Sequence, residues 1–146
     1  MNKNYSSFFE AKKIALVGIS SSPRKFGNTI GRTLRERGYD VFPIHPVIKQ
    51  FDKKRCYEHL SSLPADVTTL VVSVTPDKAV GVVQEAVDSP LKRIWFQQGA
   101  DFGRAAETAR SAGMDVITDK CILLYAPPVT GFHAVHHFFA RLFGRL

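Results

Sequence analysis

The stretch KIALVGISSSPRKFGNTIG (13–31) joins an apolar run to a loop of small and hydroxylated residues, and then to the start of a helical pattern. A continuous apolar run such as 14–17, ended by Gly18, is typical of a parallel strand that is buried on both faces. In α/β proteins the loop between such a strand and the next helix often binds a phosphate, because the first N–H groups of the helix point toward it. The stretch therefore predicts an α/β fold with a phosphate site.

The rest of the chain alternates between strand and helix patterns. Asn28 is predicted to cap the first helix and Gly38 to end it. The segment 47–64 is predicted to be a loop with one short helix around 57–63. We predict strands at 13–18, 40–45, 67–74, 93–98 and 115–119, and helices at 28–38, 77–88, 101–113 and 131–146.

Alternating strands and helices with short connections predict a parallel sheet with right-handed crossovers. The fold class is therefore predicted to be Rossmann-like, doubly wound α/β, with a mainly parallel sheet of about five strands and helices on both faces. At 146 residues, 45% of them hydrophobic, the chain suits a single domain over 1–146. Within it, 1–12 is an N-terminal segment and 131–146 an amphipathic helix packed on the domain.

The composition narrows the class of partner. A net charge of +7 favours anionic ligands. The basic residues are spread along the chain rather than gathered in a run, which argues against a specific nucleic-acid partner. No apolar run approaches 18 residues and the N-terminus has no signal-peptide pattern, so we expect no membrane segment and a cytoplasmic protein. Cys56 and Cys121 have no CxxC companion, so reduced thiols are expected.

The spacing of the first loop excludes two common phosphate motifs. Gly18 is followed by eight residues before Gly27, which fits neither GxGxxG nor Walker A. The loop can still offer backbone N–H groups and the positive end of a helix. Arg24 and Lys25 add full charges that suit a diphosphate. The alternative is an ordinary strand-to-helix loop with solvated basic residues.

The second loop argues against NAD. An NAD site usually carries an acidic residue at the end of the second strand, where it holds the ribose hydroxyls. This chain has His45 and Pro46 there, with Lys49 three residues further on. Neutral or positively charged residues at the end of this strand favour the binding of a phosphorylated ribose, as in NADP or coenzyme A.

Several stretches together resemble the small stand-alone CoA-binding proteins, which are relatives of the CoA-binding domain in the succinyl-CoA synthetase α subunit. The resemblance runs from about Ile14 to the end of the chain. The stretches that carry it are IALVGISSSPRKFGNTIGRTLRERGYDVFPIHP, CYEHLSSLP, VVSVTPDKAVGVVQEAV, RIWFQQGA, DVITDKCILLYAPPV and GFHAVHHFFARLFGRL. Three positions depart from the family pattern: His45 replaces a common Asn, Pro127 an acidic residue and His137 a basic one.

The resemblance implies that coenzyme A or an acyl-CoA binds across the loops at the strand ends. The pyrophosphate would be held by Gly18, Ser20, Ser21, Arg24, Lys25, Gly27 and Asn28. The adenosine would lie near His45, Pro46 and Lys49, with Val74, Thr75 and Pro76 flanking the adenine or ribose. Gln98 and Gly99 would face the pantetheine.

Catalytic alternatives rest on Cys121 and three histidines. Cys121 could pair with a histidine as a nucleophile, or bind zinc with His133 and His137. A lone cysteine among apolar residues is more often part of a core, and His133 and His136 also suit packing of the last helix. Neither a catalytic pair of carboxylates nor a metal site is expected, so the sequence favours a non-catalytic module that binds a small molecule. The protein could also form a homodimer or bind a partner enzyme. The alternative is an NADP- or thiol-dependent enzyme that uses the same cleft.

Overall fold

The structure is a computed structural model that describes residues 5–10, 12–22 and 25–129. Its main sheet contains β1 (Lys13–Val17), β2 (Asp40–Ile44), β5 (Thr69–Val72), β6 (Arg93–Gln97) and β7 (Asp115–Lys120). A hairpin is formed by β3 (Gln50–Phe51) and β4 (Lys54–Arg55). The helices are α1 (Phe26–Glu36), α2 (Pro76–Val87) and α3 (Gly103–Ser111), with short 3-10 turns at Tyr5–Phe8, Leu60–Ser62 and Ile122–Leu124. The helix predicted at 131–146 lies outside the described residues, as do residues 1–4 and 11 of the N-terminal segment.

The five strands of the main sheet run parallel in the order β2–β1–β5–β6–β7. Numbered along the chain within this sheet, the order is 2-1-3-4-5, one of the two common doubly wound arrangements. The predicted Rossmann-like α/β fold is therefore confirmed. In this arrangement the order in which successive strands are added to the sheet reverses between β1 and β5. Ligands in such sheets bind outside the carboxyl ends of the strands at that point.

Alternating side chains of each strand build two cores, one on each face of the sheet. On the first face, Leu16 and Trp95 pack with Leu34 of α1. On the second face, Leu70 and Phe96 pack with residues of α2 and α3. All five of these side chains are fully buried. The predicted placement of helices on both faces is thereby confirmed.

The segment 47–64 is more ordered than predicted, because it contains the β3–β4 hairpin. Its turn residues Asp52 and Lys53 have φ values of +49° and +69°, which matches a two-residue hairpin loop. The hairpin docks on α1 through Phe51, since a Cβ added at Gly31 would lie 2.8 Å from the Phe51 ring. Arg32 Nε also bonds Asp52 at 2.9 Å. The predicted short helix is only the 3-10 turn Leu60–Ser62.

The element boundaries differ from the sequence prediction by at most two residues. Helix α1 begins at Phe26 rather than at residue 28, and α3 begins at Gly103 rather than at residue 101. Gly38 follows α1 with a φ of +100°, a conformation that suits glycine, so its predicted role in ending the helix is confirmed. Within the described part of the chain, no helix combines the length and the apolar character needed to cross a bilayer.

Candidate functional site

At the carboxyl edge of the sheet, the ends of β1 and β5 lie in close contact. The Ser73 N–H donates to the Val17 carbonyl at 2.8 Å, which extends the pairing to the residue after β5. Gly18 follows β1 with a φ of +140°, and a Cβ there would lie 2.5 Å from the Ser73 carbonyl oxygen. Only glycine fits this position without displacing the backbone.

Helix α1 starts directly against this strand end. A Cβ added at Gly27 would lie 2.0 Å from the Gly18 carbonyl oxygen, so the first turn touches the loop backbone. Lys25 is the N-cap residue, and its side chain makes no capping hydrogen bond. Lys25 and Phe26 are both exposed. The Asn28 N–H donates to the Lys25 carbonyl at 3.0 Å, so the N–H groups of Phe26 and Gly27 are the donors that this helix start can offer to an anion.

Asn28 holds the first loop rather than capping the helix, so the predicted capping role was wrong. The helix starts two residues earlier, and the Asn28 side chain turns back toward the loop. Its Oδ1 accepts from the Ser20 N–H at 2.9 Å, and its Nδ2 donates to the carbonyls of Ser20 and Ser22 at 2.9 and 3.1 Å. Ser21 is exposed beside this network. Arg24, predicted to share the site, lies outside the described residues.

His45 shapes the second loop through its ring nitrogen. Nδ1 accepts from the Val47 N–H at 3.0 Å and from the Ile48 N–H at 2.9 Å, so the ring is neutral and carries its proton on Nε2. The Oδ1 of an asparagine is attached at the same branch point as Nδ1 and could accept the same two bonds. His45 can therefore accept the same two backbone bonds that an asparagine at this position would accept. Pro46 and Lys49 are exposed.

The His45 interaction predicts a pH-dependent stability. Burial, and secondarily the charge of Lys78, lowers the pKa of His45 below its usual value of 6.5. The stabilisation of the folded state by neutral His45 is therefore complete above about pH 6.5 and is lost as the pH falls through the lower folded-state pKa. We expect His45→Asn to keep the two loop hydrogen bonds and to lose the pH dependence that His45 causes.

Urea unfolding of the wild type and of His45→Asn at pH values from 8 to 5 measures the effect. The free energy of unfolding should fall more steeply with decreasing pH in the wild type. Identical pH dependence in the two proteins would show that Nδ1 does not contribute as an acceptor.

The segment that follows β4 packs beside the end of β2. The Tyr57 N–H donates to the Pro43 carbonyl at 2.8 Å, and the His45 N–H donates to the Tyr57 carbonyl at 2.9 Å. This pairing places Arg55, Glu58 and His59 beside His45, around a cleft of about 400 Å³. Glu58 is an acidic residue near the end of β2 that the sequence argument against NAD overlooked, because it considered only the residues directly following that strand.

The start of α2 carries a negative charge. Thr75 is the N-cap residue and Pro76 the first helical residue, while Val74 packs half-buried against the core. A hydrogen bond from the Thr75 side chain lowers the pKa of Asp77 in the first turn. The Asp77 carboxylate occupies the positive end of this helix, which makes the start of α1 the better anion site of the two.

At the end of β6, two adjacent glutamines have different environments. Gln98 and Gly99, predicted to face the ligand, are exposed, and Gly99 has a φ of +111° with open space beside it. Gln97 is buried, and its Oε1 accepts from the Ile122 N–H at 3.0 Å. Gln97 thus positions the segment after β7, a role that the sequence analysis missed.

The predicted loops line up along the edge in the order of the strands. Across the sheet, the loop with His45 follows β2 and the loop with Gly18 follows β1. The segment with Val74 then follows β5, and the loop with Gln98 follows β6. Neighbouring strands are about 4.8 Å apart, so the first and last of these loops are separated by about 14 Å. The edge therefore suits an elongated ligand with its most negative group over the start of α1.

His133, His136 and His137, on which the hypotheses of a nucleophile and of a zinc site depend, lie outside the described residues. Cys121 is half-buried directly after β7. Among residues 5–10, 12–22 and 25–129, no three His, Cys, Asp or Glu side chains are grouped so that they could hold a metal ion.

Comparison with known proteins agrees with this architecture. A conserved hypothetical protein from Pyrococcus furiosus has a similar solved structure, with a TM-score of 0.73 and 36% identity over 77% of this chain and 97% of that one. The uncharacterized protein YneT of Bacillus subtilis (strain 168) is 25% identical over 77% of this chain and 83% of its own length.

A third relative is much longer. The acetate–CoA ligase [ADP-forming] II subunit alpha of Pyrococcus furiosus is 30% identical over 79% of this chain, which spans only 28% of that subunit. The family model described as a CoA binding domain matches residues 12–127, and this range contains every strand of the sheet. The chain therefore belongs to the CoA binding domain family.

Proposed function

We propose that this chain binds coenzyme A or an acyl-CoA at the carboxyl edge of its sheet, without transforming it. One observation carries the proposal: the start of α1, uncapped by the Lys25 side chain, is held against the end of β1 by the close approach of Gly27 to Gly18. This arrangement offers backbone N–H groups to a phosphate, in a member of a CoA-binding family.

The pyrophosphate would lie over the start of α1. The loop residues Gly18, Ser20, Ser21 and Asn28 would surround it, and Lys25 would supply a positive charge, joined by Arg24 of the same loop. Asn28 acts here as a positioning residue, because its side chain is already bonded to the loop backbone.

The two ends of the ligand would extend in opposite directions from that point. The adenosine would lie toward His45, Pro46 and Lys49, with Val74, Thr75 and Pro76 on its other side, and the pantetheine toward Gln98 and Gly99. The order of the strands supports this layout: β1 lies between β2 and β6, just as the pyrophosphate lies between the adenosine and the pantetheine in coenzyme A.

A panel of thermal unfolding measurements tests the proposal. Coenzyme A, dephospho-CoA, acetyl-CoA, NAD and NADP are each added to the purified protein. A ligand present at 100 times its dissociation constant stabilises the folded state by about 2.7 kcal/mol, which is readily detected as a rise in Tm. We expect coenzyme A and acetyl-CoA to raise the Tm and NAD to leave it unchanged. A rise with NADP and none with coenzyme A would instead favour the alternative of an NADP-dependent enzyme.

A further inference from the structure

The cleft beside the end of β2 has the size of a small-molecule site. Its volume of about 400 Å³ falls within the range of about 300–1,000 Å³ that is typical of ligand pockets. One wall is the loop that His45 holds, and the other is the segment that follows β4. The Cys56 N–H donates to the Lys49 carbonyl at 2.9 Å and ties the two walls together.

Two full positive charges line this cleft. Lys49 and Arg55 are both exposed, and neither forms an ion pair with another of the described residues. The Arg55 guanidinium lies 4.6 Å from the centre of the Tyr57 ring. Stacking uses the face of the guanidinium and leaves its N–H edges for an acceptor. The contact with the ring therefore restricts the Arg55 side chain while its N–H donors stay free for an acceptor such as a phosphate.

One carboxylate shares the cleft with these cations. Glu58 Oε2 lies 3.6 Å from His59 Nε2, and Glu85 Oε2 lies 3.7 Å from His59 Nδ1. Glu85 also accepts from the Leu60 N–H at 3.0 Å, which holds its carboxylate to the backbone. An ionised carboxylate only accepts hydrogen bonds, so Glu58 suits a hydroxyl donor and repels a phosphate placed next to it. A group with a phosphate on one side and a hydroxyl on the other matches this set of charges.

The hairpin that carries Arg55 is fixed relative to α1. The guanidinium carbons of Arg32 and Arg35 lie 5.4 and 5.2 Å from the centre of the Phe51 ring. Together with the Arg32–Asp52 ion pair at 2.9 Å, these contacts fix the distance between the cleft and the start of α1. A site that is already ordered before the ligand arrives loses less entropy on binding.

We infer that Lys49 and Arg55 bind a phosphate monoester on the ribose of the ligand, and that Glu58 accepts a hydrogen bond from the neighbouring ribose hydroxyl. This assignment rests on the proposed function and adds a specificity-determining element to it. The same chemistry occurs in the 3′-phosphate of coenzyme A and in the 2′-phosphate of NADP. We assign the 3′-phosphate of coenzyme A, so the chain should discriminate against dephospho-CoA.

Calorimetric titration of the wild type and of Arg55→Gln with coenzyme A and with dephospho-CoA tests the assignment. A hydrogen bond between charged groups corresponds to about 10- to 100-fold in affinity. The wild type should bind coenzyme A at least about 10-fold more tightly than dephospho-CoA. Arg55→Gln should lose about 10-fold for coenzyme A and nothing for dephospho-CoA. Arg104→Gln, which removes one exposed charge from α3, should bind both ligands as the wild type does.

The outcomes separate this assignment from the proposed function. If coenzyme A and dephospho-CoA bind equally tightly, the assignment is wrong and the proposed function stands. If neither ligand binds, both are wrong. Tighter binding of adenosine 2′,5′-bisphosphate than of the 3′,5′ isomer would also overturn the assignment, in favour of the NADP-type phosphate. Lys49→Gln serves as a second variant if Arg55→Gln unfolds, and it should show the same selective loss.

Discussion

Replacing Gly27 by Ala is expected to destabilise the protein by about 3 kcal/mol or more. The new Cβ would lie 2.0 Å from the Gly18 carbonyl oxygen and 2.6 Å from its carbon. Both atoms belong to the backbone, so no side-chain rotation relieves the contact, and either α1 or the end of β1 must move. Alanine favours helices over glycine by about 1 kcal/mol, and the clash exceeds this gain. Urea unfolding of the variant measures the loss.

Gly81→Ala is the matched control for this substitution. Gly81 lies inside α2 and is exposed, and an added Cβ there meets no atom within 4 Å. The same chemical change should therefore stabilise the protein by about 0.5–1 kcal/mol, because only the helix preference acts. If Gly27→Ala were as stable as Gly81→Ala, the first turn of α1 would not touch the end of β1, and the proposed anion site would lose its geometric basis.

Replacing Arg37 by Met is expected to cost about 3 kcal/mol of stability. Arg37 is buried at the end of α1, and its Nη1 donates to the carbonyls of Leu123 and Ala126, both at 2.8 Å. Burial lowers the pKa of Arg37, which shows that keeping the charge there is itself unfavourable. Methionine removes that cost and fills similar space, but it leaves two carbonyls without their charged donor. The loss of two such bonds outweighs the relief of desolvation.

Arg110→Met provides the comparison for Arg37→Met. Arg110 is exposed in the last turn of α3, so its loss should change the free energy of unfolding by less than about 0.5 kcal/mol. Arg37→Lys keeps the charge but loses the rigid fork of donors, and should lie between Arg37→Met and the wild type. Equal stability of Arg37→Met and Arg110→Met would mean that the carbonyls of Leu123 and Ala126 do not depend on Arg37.

The sheet could be predicted because its strands carry a local signal. Residues 14–17 and 69–72 are short runs rich in apolar and β-branched side chains, as strands buried on both faces require. Each helix is joined to the next strand of the sheet by a short connection, so the alternation of strands and helices leaves few possible topologies for a parallel sheet. Gly18 could be assigned to the first loop for the same reason, since it directly follows β1.

The role of Asn28 could not be predicted from local preference. Asparagine is a common N-cap residue, and the sequence does not mark Phe26 as the first residue of the helix. Only the position of that first turn decides whether the Asn28 side chain reaches the N–H groups of its own helix or the carbonyls of the preceding loop. That position depends on the contact between Gly27 and Gly18, which lie nine positions apart in the chain.

The cleft beside β2 depends on contacts that leave no periodic pattern. The β3–β4 hairpin has strands of two residues and a turn of Asp and Lys, without the glycine that usually marks such turns. Tyr57 pairs with Ile44 through a single bridge. Arg55, Glu58 and His59 therefore reach His45 by a tertiary contact that only the structure reveals.

Amide NMR spectra of the ¹⁵N-labelled protein, recorded during titration with coenzyme A, test the central claim most directly, because they report both whether the ligand binds and where. We expect saturable shifts of the amide signals of residues 18–22 and 25–28, with smaller shifts near His45 and Gln98 and none in α3. Unchanged spectra at millimolar coenzyme A, or shifts confined to α3 and the opposite edge of the sheet, would contradict the account.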